Sequence, residues 1–225
     1  MISGEAALLA LRNRVLSVVT ATTGSTTLVA TTTGYTRATG SFVTEGFRIG
    51  MELAGTGFST AANNNPGVIL AVAADGLSLT IEGGRTAEAS GSGRMLTVGI
   101  PALRSWDNVE LTKQALFPYI EEDFVPTKHE LISLPAASGA AIDEGVYFIR
   151  WYGRSRFGSD GIRACVDALK AKFTPGTVLT AGSDILRMRE EDCALAGQIV
   201  SRGNGWSVCS VRIPWRAYTN NLVAA

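Results

Sequence analysis

The 225-residue chain predicts an α+β fold: a mostly antiparallel sheet packed against an N-terminal helix and a second amphipathic helix, with a small all-β module inserted. Three observations carry this. Residues 145–176, GVYFIRWYGRSRFGSDGIRACVDALKAKFTPG, change from a near-continuous apolar run to apolar residues at helical spacing. Residues 22–100 are rich in Thr, Gly, Ser and Ala and show no long helical pattern. Strand-like runs outnumber helical ones along the whole chain, which favours antiparallel pairing with the helices gathered on one face.

The first element is a helix within MISGEAALLALRNRVLSVV, with Ser3 as N-cap and Leu8, Leu11, Val15 and Val18 along one face. Glu5, Arg12 and Arg14 interrupt its apolar run, and a secretory leader would place basic residues first. No run reaches the roughly 20 apolar residues that span a bilayer, so no membrane association is expected.

The Thr/Gly-rich stretch follows. Strands are expected at residues 26–33, 47–53, 68–72, 77–81 and 95–98. Asp75-Gly76 between two apolar runs is a hairpin signal, because its tight turn favours positive φ. Asn63-Asn64-Asn65-Pro66-Gly67 is a loop. Residues 22–100 are therefore expected to form a five- or six-stranded module inserted through flexible linkers into a domain made of residues 1–21 and 101–225.

After Pro101, strands are expected at 116–125 and 129–134, a small-residue loop at 135–141, a strand at 146–152 covered on both faces, and a helix at 162–173 capped by Ser159 or Asp160. Further strands are expected at 184–189, 197–200 and 206–215. Pro214 cannot donate a ladder hydrogen bond, which predicts an edge or a bulge there.

Composition limits the chemistry. Lys+Arg and Asp+Glu are balanced at 20 each, giving a formal net charge of zero. That argues against binding nucleic acid by phosphate neutralisation and permits self-association. Cys165, Cys193 and Cys209 have no C-x-x-C spacing, and an odd count closes no disulfide framework, so all three are expected to be small buried apolar residues made in a reducing cytoplasm. His129 stands alone, and its neighbour Glu130 points to the other face of a strand, so neither an acid–base pair nor a zinc site is expected. Glu121-Glu122-Asp123 and Glu190-Glu191-Asp192 fit no carboxylate-loop spacing and are expected to be solvated faces or subunit contacts. Gly55-Thr56-Gly57 and Gly91-Ser92-Gly93 lack the rest of a dinucleotide or phosphate loop, and no G-x-S-x-G elbow occurs. Neither enzyme activity, metal nor cofactor is expected.

The aromatic residues Trp106, Phe117, Tyr119, Tyr147, Phe148, Trp151, Tyr152 and Trp215 all fall after residue 100. If the helices cover one side of the sheet, large apolar groups remain on the other. Either a neighbouring subunit covers them, since such interfaces favour aromatics and Arg, or the module or N-terminal helix does. The interface candidates are Trp106, Asn108, Tyr119, Trp151, Arg154 and Arg156.

The run LRSWDNVELTKQALFPYIEEDFVP, with GVYFIRWYGRSRFGSDGIRACVDALKAKFTPGTVL and GWSVCSVRIPWRAY, resembles the tail terminator (tail completion) proteins of long-tailed bacteriophages. The matching positions are Trp106, Asn108, Val109, Pro118, Tyr119, Phe124 and Pro126, and the likeness spans the N-terminal helix and about residues 103–220. The resemblance implies an antiparallel sheet against helices and assembly into a hexameric ring. The ring would cap the head-proximal end of the tail tube, stop polymerisation of the tail tube protein and join the head–tail connector proteins. Genomic DNA would pass through its lumen without specific binding, and the protein would reside in the virion after synthesis in the bacterial cytoplasm. The module's EGFRIGMELAGTGFSTAANNNPGVILAVAADGLSLTI is similar to small β domains of phage tail and other virion proteins. Alternatives are another connector protein, a tube subunit, or a virion protein whose module binds host glycans.

Overall fold

The computed structural model describes residues 4–106, 117–131, 140–181, 184–188, 195–196, 199–202 and 204–220. The fold is α+β, with two α-helices and two sheets among these residues. Helix α1 spans Gly4–Leu16. Ala7, Leu11, Val15 and, just past its end, Val18 are buried, whereas Leu8 lies only at the margin and Leu9 and Leu16 are exposed. The expected stripe therefore begins at Ala7 instead of Leu8. The expected cap Ser3 lies outside the described residues.

The first sheet contains β1 (Val19–Gly24), β2 (Val29–Thr31), β3 (Gly34–Thr36), β4 (Glu52–Thr56), β5 (Gly67–Val72), β6 (Ser78–Ile81) and β7 (Met95–Gly99), in the order β1-β7-β4-β5-β6-β3-β2. All its pairings are antiparallel, and β1 lies beside β7, so the chain enters and leaves on neighbouring strands. The hairpin at Asp75-Gly76 joins β5 to β6. Gly76 sits at φ 73°, and the Leu77 N–H donates to Asp75 Oδ1 at 2.9 Å. Two expectations shift. The strand over 26–33 shrinks to β2, with turns on either side and β3 beginning only at Gly34, and the strand over 47–53 begins only at Glu52, because Gly46 and Gly50 take positive φ in the turns before it.

This module is held by buried cations. Arg37, Arg85 and Arg94, three of its four basic residues, are only 5–8% exposed. Arg94 pairs with Glu88, whose carboxylate also accepts the Ser59 and Thr60 N–H groups and Asn63 Nδ2. Those donors, the Ser59 N–H foremost, hold Glu88 down to about 2. Arg85 Nε donates to Tyr35 Oη at 2.8 Å, and that hydroxyl donates to the Asn63 carbonyl at 2.5 Å.

The second sheet contains β8 (Leu103–Trp106), β9 (Tyr119–Leu131), β10 (Ala140–Arg154), β11 (Val178–Ala181), β12 (Asp184–Met188), β13 (Leu195–Ala196), β14 (Val200–Arg202) and β15 (Trp206–Asn220). Its order is β11-β12-β15-β10-β9-β8, with β13 and β14 also pairing β15; among the described residues only β8 and β9 run parallel. Helix α2, Asp160–Lys172, lies between β10 and β11 in sequence and buries Gly161, Ile162, Cys165, Val166 and Leu169. Ser159 precedes it but makes no side-chain capping bond.

The two strands expected at 116–125 and 129–134 are one strand, β9, which passes through Pro126. A bulge absorbs Thr127, since Gly145 pairs Pro126 while Glu144 pairs Lys128. β8 flanks β9 only at residues 119–122, so among the described residues no ladder on that side needs an N–H from Pro126. The strand expected at 146–152 runs from 140 to 154, taking up the end of the expected small-residue loop. Pro214 is not on an edge strand: it pairs Val146 in the interior of the sheet. On its other flank the described partners stop at Trp215, with Met188, and resume at Arg212, with Leu195, so its missing donor falls between two ladders.

Both helices lie on one face of the second sheet, and α2 also packs on β1. A single apolar core runs through α1, α2 and both sheets. Buried Glu122, 1% exposed, fastens α1 to the sheet: it accepts from Arg12 Nε at 3.1 Å, Arg104 Nε at 3.0 Å and Tyr147 Oη at 2.6 Å. Burial, with that carboxylate beside it, pushes the Tyr147 hydroxyl far above its ordinary value. The expectation that Glu121-Glu122-Asp123 is a solvated face or a subunit contact thus fails at its middle residue, because strand alternation turns Glu122 inward.

Candidate interaction face

Alternation divides the long strands into two faces. Ile120, Glu122, Tyr147, Ile149, Trp151, Cys209, Val211, Ile213 and Trp215 face the helices. The other residues form an outer face, and the strand registers place them in rows.

The row at one end is aromatic. Tyr119, Tyr152 and Val208 stand side by side, with Trp206 next to them, and form a small buried cluster of their own. The Tyr119 and Tyr152 rings stack at 4.3 Å, Trp206 meets Tyr119 edge-on at 5.0 Å, and the Arg154 guanidinium lies 3.9 Å over Trp206. Tyr152 Oη donates to Glu121 Oε2 at 2.7 Å; burial, then that carboxylate, raises its pKa.

The rows beyond mix charge and apolar surface. Glu121, Arg150 and Ser210 form one, and Asp123, Phe148 and Arg212 the next. Arg150 pairs with Asp123 at 2.5 Å. Val125, Val146 and Pro214 make an apolar row in which Val125 is exposed. Lys128, Glu144, Arg216 and Arg187 follow, with Arg216 donating to Glu144 at 2.6 Å. Last come Glu130, Ile142, Tyr218 and Ile185, of which Tyr218 and Ile185 are exposed, as is Val178 nearby.

Of the six residues expected at an interface, Tyr119 and Arg154 meet at Trp206, and Trp151 lies on the opposite face of the sheet. Tyr119 is 1% exposed within the aromatic cluster, and Trp151 is 2% exposed under the helices, so neither presents surface. Arg154 and Arg156 sit at the end of β10 and in the turn after it; Arg156 is exposed and lies 4.7 Å over the Phe157 ring. Trp106 is on β8, its side chain and Asn108 lying outside the described residues. Of the outer-face charges, Asp123 belongs to the acidic run expected to be a solvated face or a subunit contact, whereas Arg150 and Arg212 were not among the interface candidates. A signal existed for Arg212, since Ser210, Arg212 and Arg216 share the parity opposite to Val211, Ile213 and Trp215, but Arg150 is the lone charge of 146–152 and no period marks it.

Elsewhere, Cys165 and Cys209 are buried, and burial pushes the Cys165 thiol up to about 12. Cys193 and the acidic run 190–192 lie outside the described residues. His129 Nδ1 sits 2.5 Å from Asp143 on the facing strand, while Glu130 pairs with Lys128. Among the described residues no three His, Cys, Asp or Glu side chains gather closely enough to hold a metal ion, and no helix is long and apolar enough to cross a membrane.

No protein-family model matches the chain, and no curated protein matches it. One solved chain that does match, whose name states no function, shares 21% identity over 53% of this chain and 79% of its own length, with a TM-score of 0.42. A likeness of that size carries no argument about function.

Proposed function

We propose that the chain is a structural virion protein: a subunit of a ring that caps the head-proximal end of a phage tail tube, halts tube growth and joins the tail to the head connector. One observation carries this. The terminator-like run around Pro118, Tyr119, Phe124 and Pro126 falls on β9 of a sheet with helices on one face and an outer face that exposes apolar and charged rows. Such a subunit acts through surfaces, and a closed ring requires a patch on each side of it. The exposed Arg156 and the neighbouring Arg154 supply cations of the kind that interfaces favour. The glycan alternative loses support, because Tyr35, Phe42, Phe47 and Phe58, all the rings of residues 22–100, are buried and leave no aromatic platform for a sugar.

Negative-stain microscopy of the purified protein mixed with tail tubes tests the proposal. Rings seated at one tube end, with tube length fixed, are expected. Long filaments of this protein alone would make it a tube subunit, and bare tube ends with a strictly monomeric protein would overturn the ring.

A further inference from the structure

We propose that the outer face of the second sheet pairs with the same face of a second copy of this chain, about a two-fold axis running along β10. This rests on the sheet face alone and is independent of the ring.

In the row through the middle of the face, β10 contributes Phe148, β9 contributes Asp123 and β15 contributes Arg212. A two-fold axis along β10 turns β9 of one copy onto β15 of the other without moving it along the strands. Asp123 then meets Arg212 of the other copy, twice by symmetry, while Phe148 meets Phe148. In the next row the exposed Val125 lies over Pro214 of the other copy and adds an apolar contact beside those charges.

The charge distribution selects this axis. On β9, Glu121 and Asp123 share one cation, Arg150. On β15 and β12, Arg212, Arg216 and Arg187 face one carboxylate among the described residues, Glu144. Lys128 and Glu130 pair with each other at 2.6 Å. The face therefore grades from acidic at β9 to basic at β15 and β12. An axis across the strands would set acid on acid and base on base, and such like-charge contacts fix orientation by exclusion. Face-to-face sheets cross at about 30°, so the correspondence is close at Phe148 and Val146 and relaxes toward Arg150 and Arg216. The zero net charge of the chain adds little repulsion between copies.

The area is sufficient. With strands about 4.8 Å apart and a rise of about 3.3 Å per residue, the overlapping β9, β10 and β15 offer a face of roughly 14 by 40 Å. That is on the order of 600 Å² per copy, or about 1,200 Å² in total, at the lower end of specific interfaces.

Sedimentation velocity on the full chain across the micromolar range tests the pairing. The wild type is expected to form a concentration-dependent dimer. Asp123→Arg and Arg212→Asp should each weaken association by at least about ten-fold, because each sets like charges opposite one another. An equimolar mixture of the two variants should recover it, since each then presents the charge the other lacks, and recovery also reports that both are folded. A monomeric wild type, single variants that associate as the wild type does, or a mixture as weak as the single variants would each overturn the proposal. Rings on tubes without two-fold pairing would sink it and leave the ring standing; paired copies with bare tube ends would do the reverse.

Discussion

Gly161, in the first turn of α2, lies against the backbone carbonyl of Ile49, and a Cβ at this position would stand 2.6 Å from that oxygen. Beside it, Gly50 at φ 85° lies against Phe157, the last residue of the turn before α2. The first sheet is thus docked on the helix by two close backbone approaches. Gly161→Ala gains up to about 1 kcal/mol of helix propensity, but the contact has backbone on its far side and cannot yield cheaply. A net loss of about 1–3 kcal/mol is expected from overpacking, read as a lower urea midpoint.

Glu122 is the counter-charge for both Arg12 and Arg104. Glu122→Gln leaves two part-buried guanidinium groups unbalanced and should cost about 3–5 kcal/mol. Tyr147→Phe removes only the donated hydrogen bond and should cost about 1.5–3 kcal/mol, as expected for a bond to a charged group. Equal losses for the two variants in denaturant titrations would show that the carboxylate is not the centre of this network.

Glu52 introduces a pH dependence. Burial pushes its carboxyl from an ordinary 4.5 up to about 7, against a single N–H donated by Ala102. Between those values the folded chain holds a proton that the unfolded chain has released. Stability contributed here is therefore lost as pH rises from about 4.5 to about 7 and levels off above. Relative to Glu52→Gln, the wild type should lose stability over that window; parallel midpoint-versus-pH curves would refute the assignment.

Tyr35→Phe is expected to loosen the first sheet. Its hydroxyl bridges Arg85 Nε and the Asn63 carbonyl, and both are left without it. A cost of about 1–3 kcal/mol follows from orphaning buried polar groups, with limited proteolysis cutting faster within residues 59–67 than elsewhere.

Cys165 should resist alkylation in the native protein. Its thiol is buried and pushed up to about 12, so almost no thiolate forms near neutrality. Peptide mapping after iodoacetamide should find it labelled only in denaturant; rapid native labelling would contradict its placement.

The fold class and both helices were legible because they depend on local periodicity: Ile162, Val166, Leu169 and Phe173 announce α2 without reference to any other segment. The extent of the strands was less legible. Pro126 reads as a stop, yet β9 runs through it because a bulge accommodates it and, among the described residues, no strand flanks it on the β8 side. The run Val146–Tyr152 reads as covered on both sides, but Phe148 and Arg150 lie on the half-exposed outer face. Least legible were the charges. Glu122 looks like its neighbours until Arg12, 110 residues earlier in the chain, is brought to it. Arg37, Arg85 and Arg94 look like surface residues until their partners surround them. Long-range pairing decides both cases, and no local window contains it.

The position of α1 has a consequence for synthesis. It leaves the ribosome ahead of both sheets, yet β11 and α2, on which it packs, and Glu122, which neutralises Arg12, follow more than 100 residues later. β1 can meet β7 once Gly99 has emerged, so the first sheet can close while translation continues. Until Glu122 and the long strands arrive, the nascent helix exposes its apolar stripe, and that interval is where a chaperone would find this polypeptide.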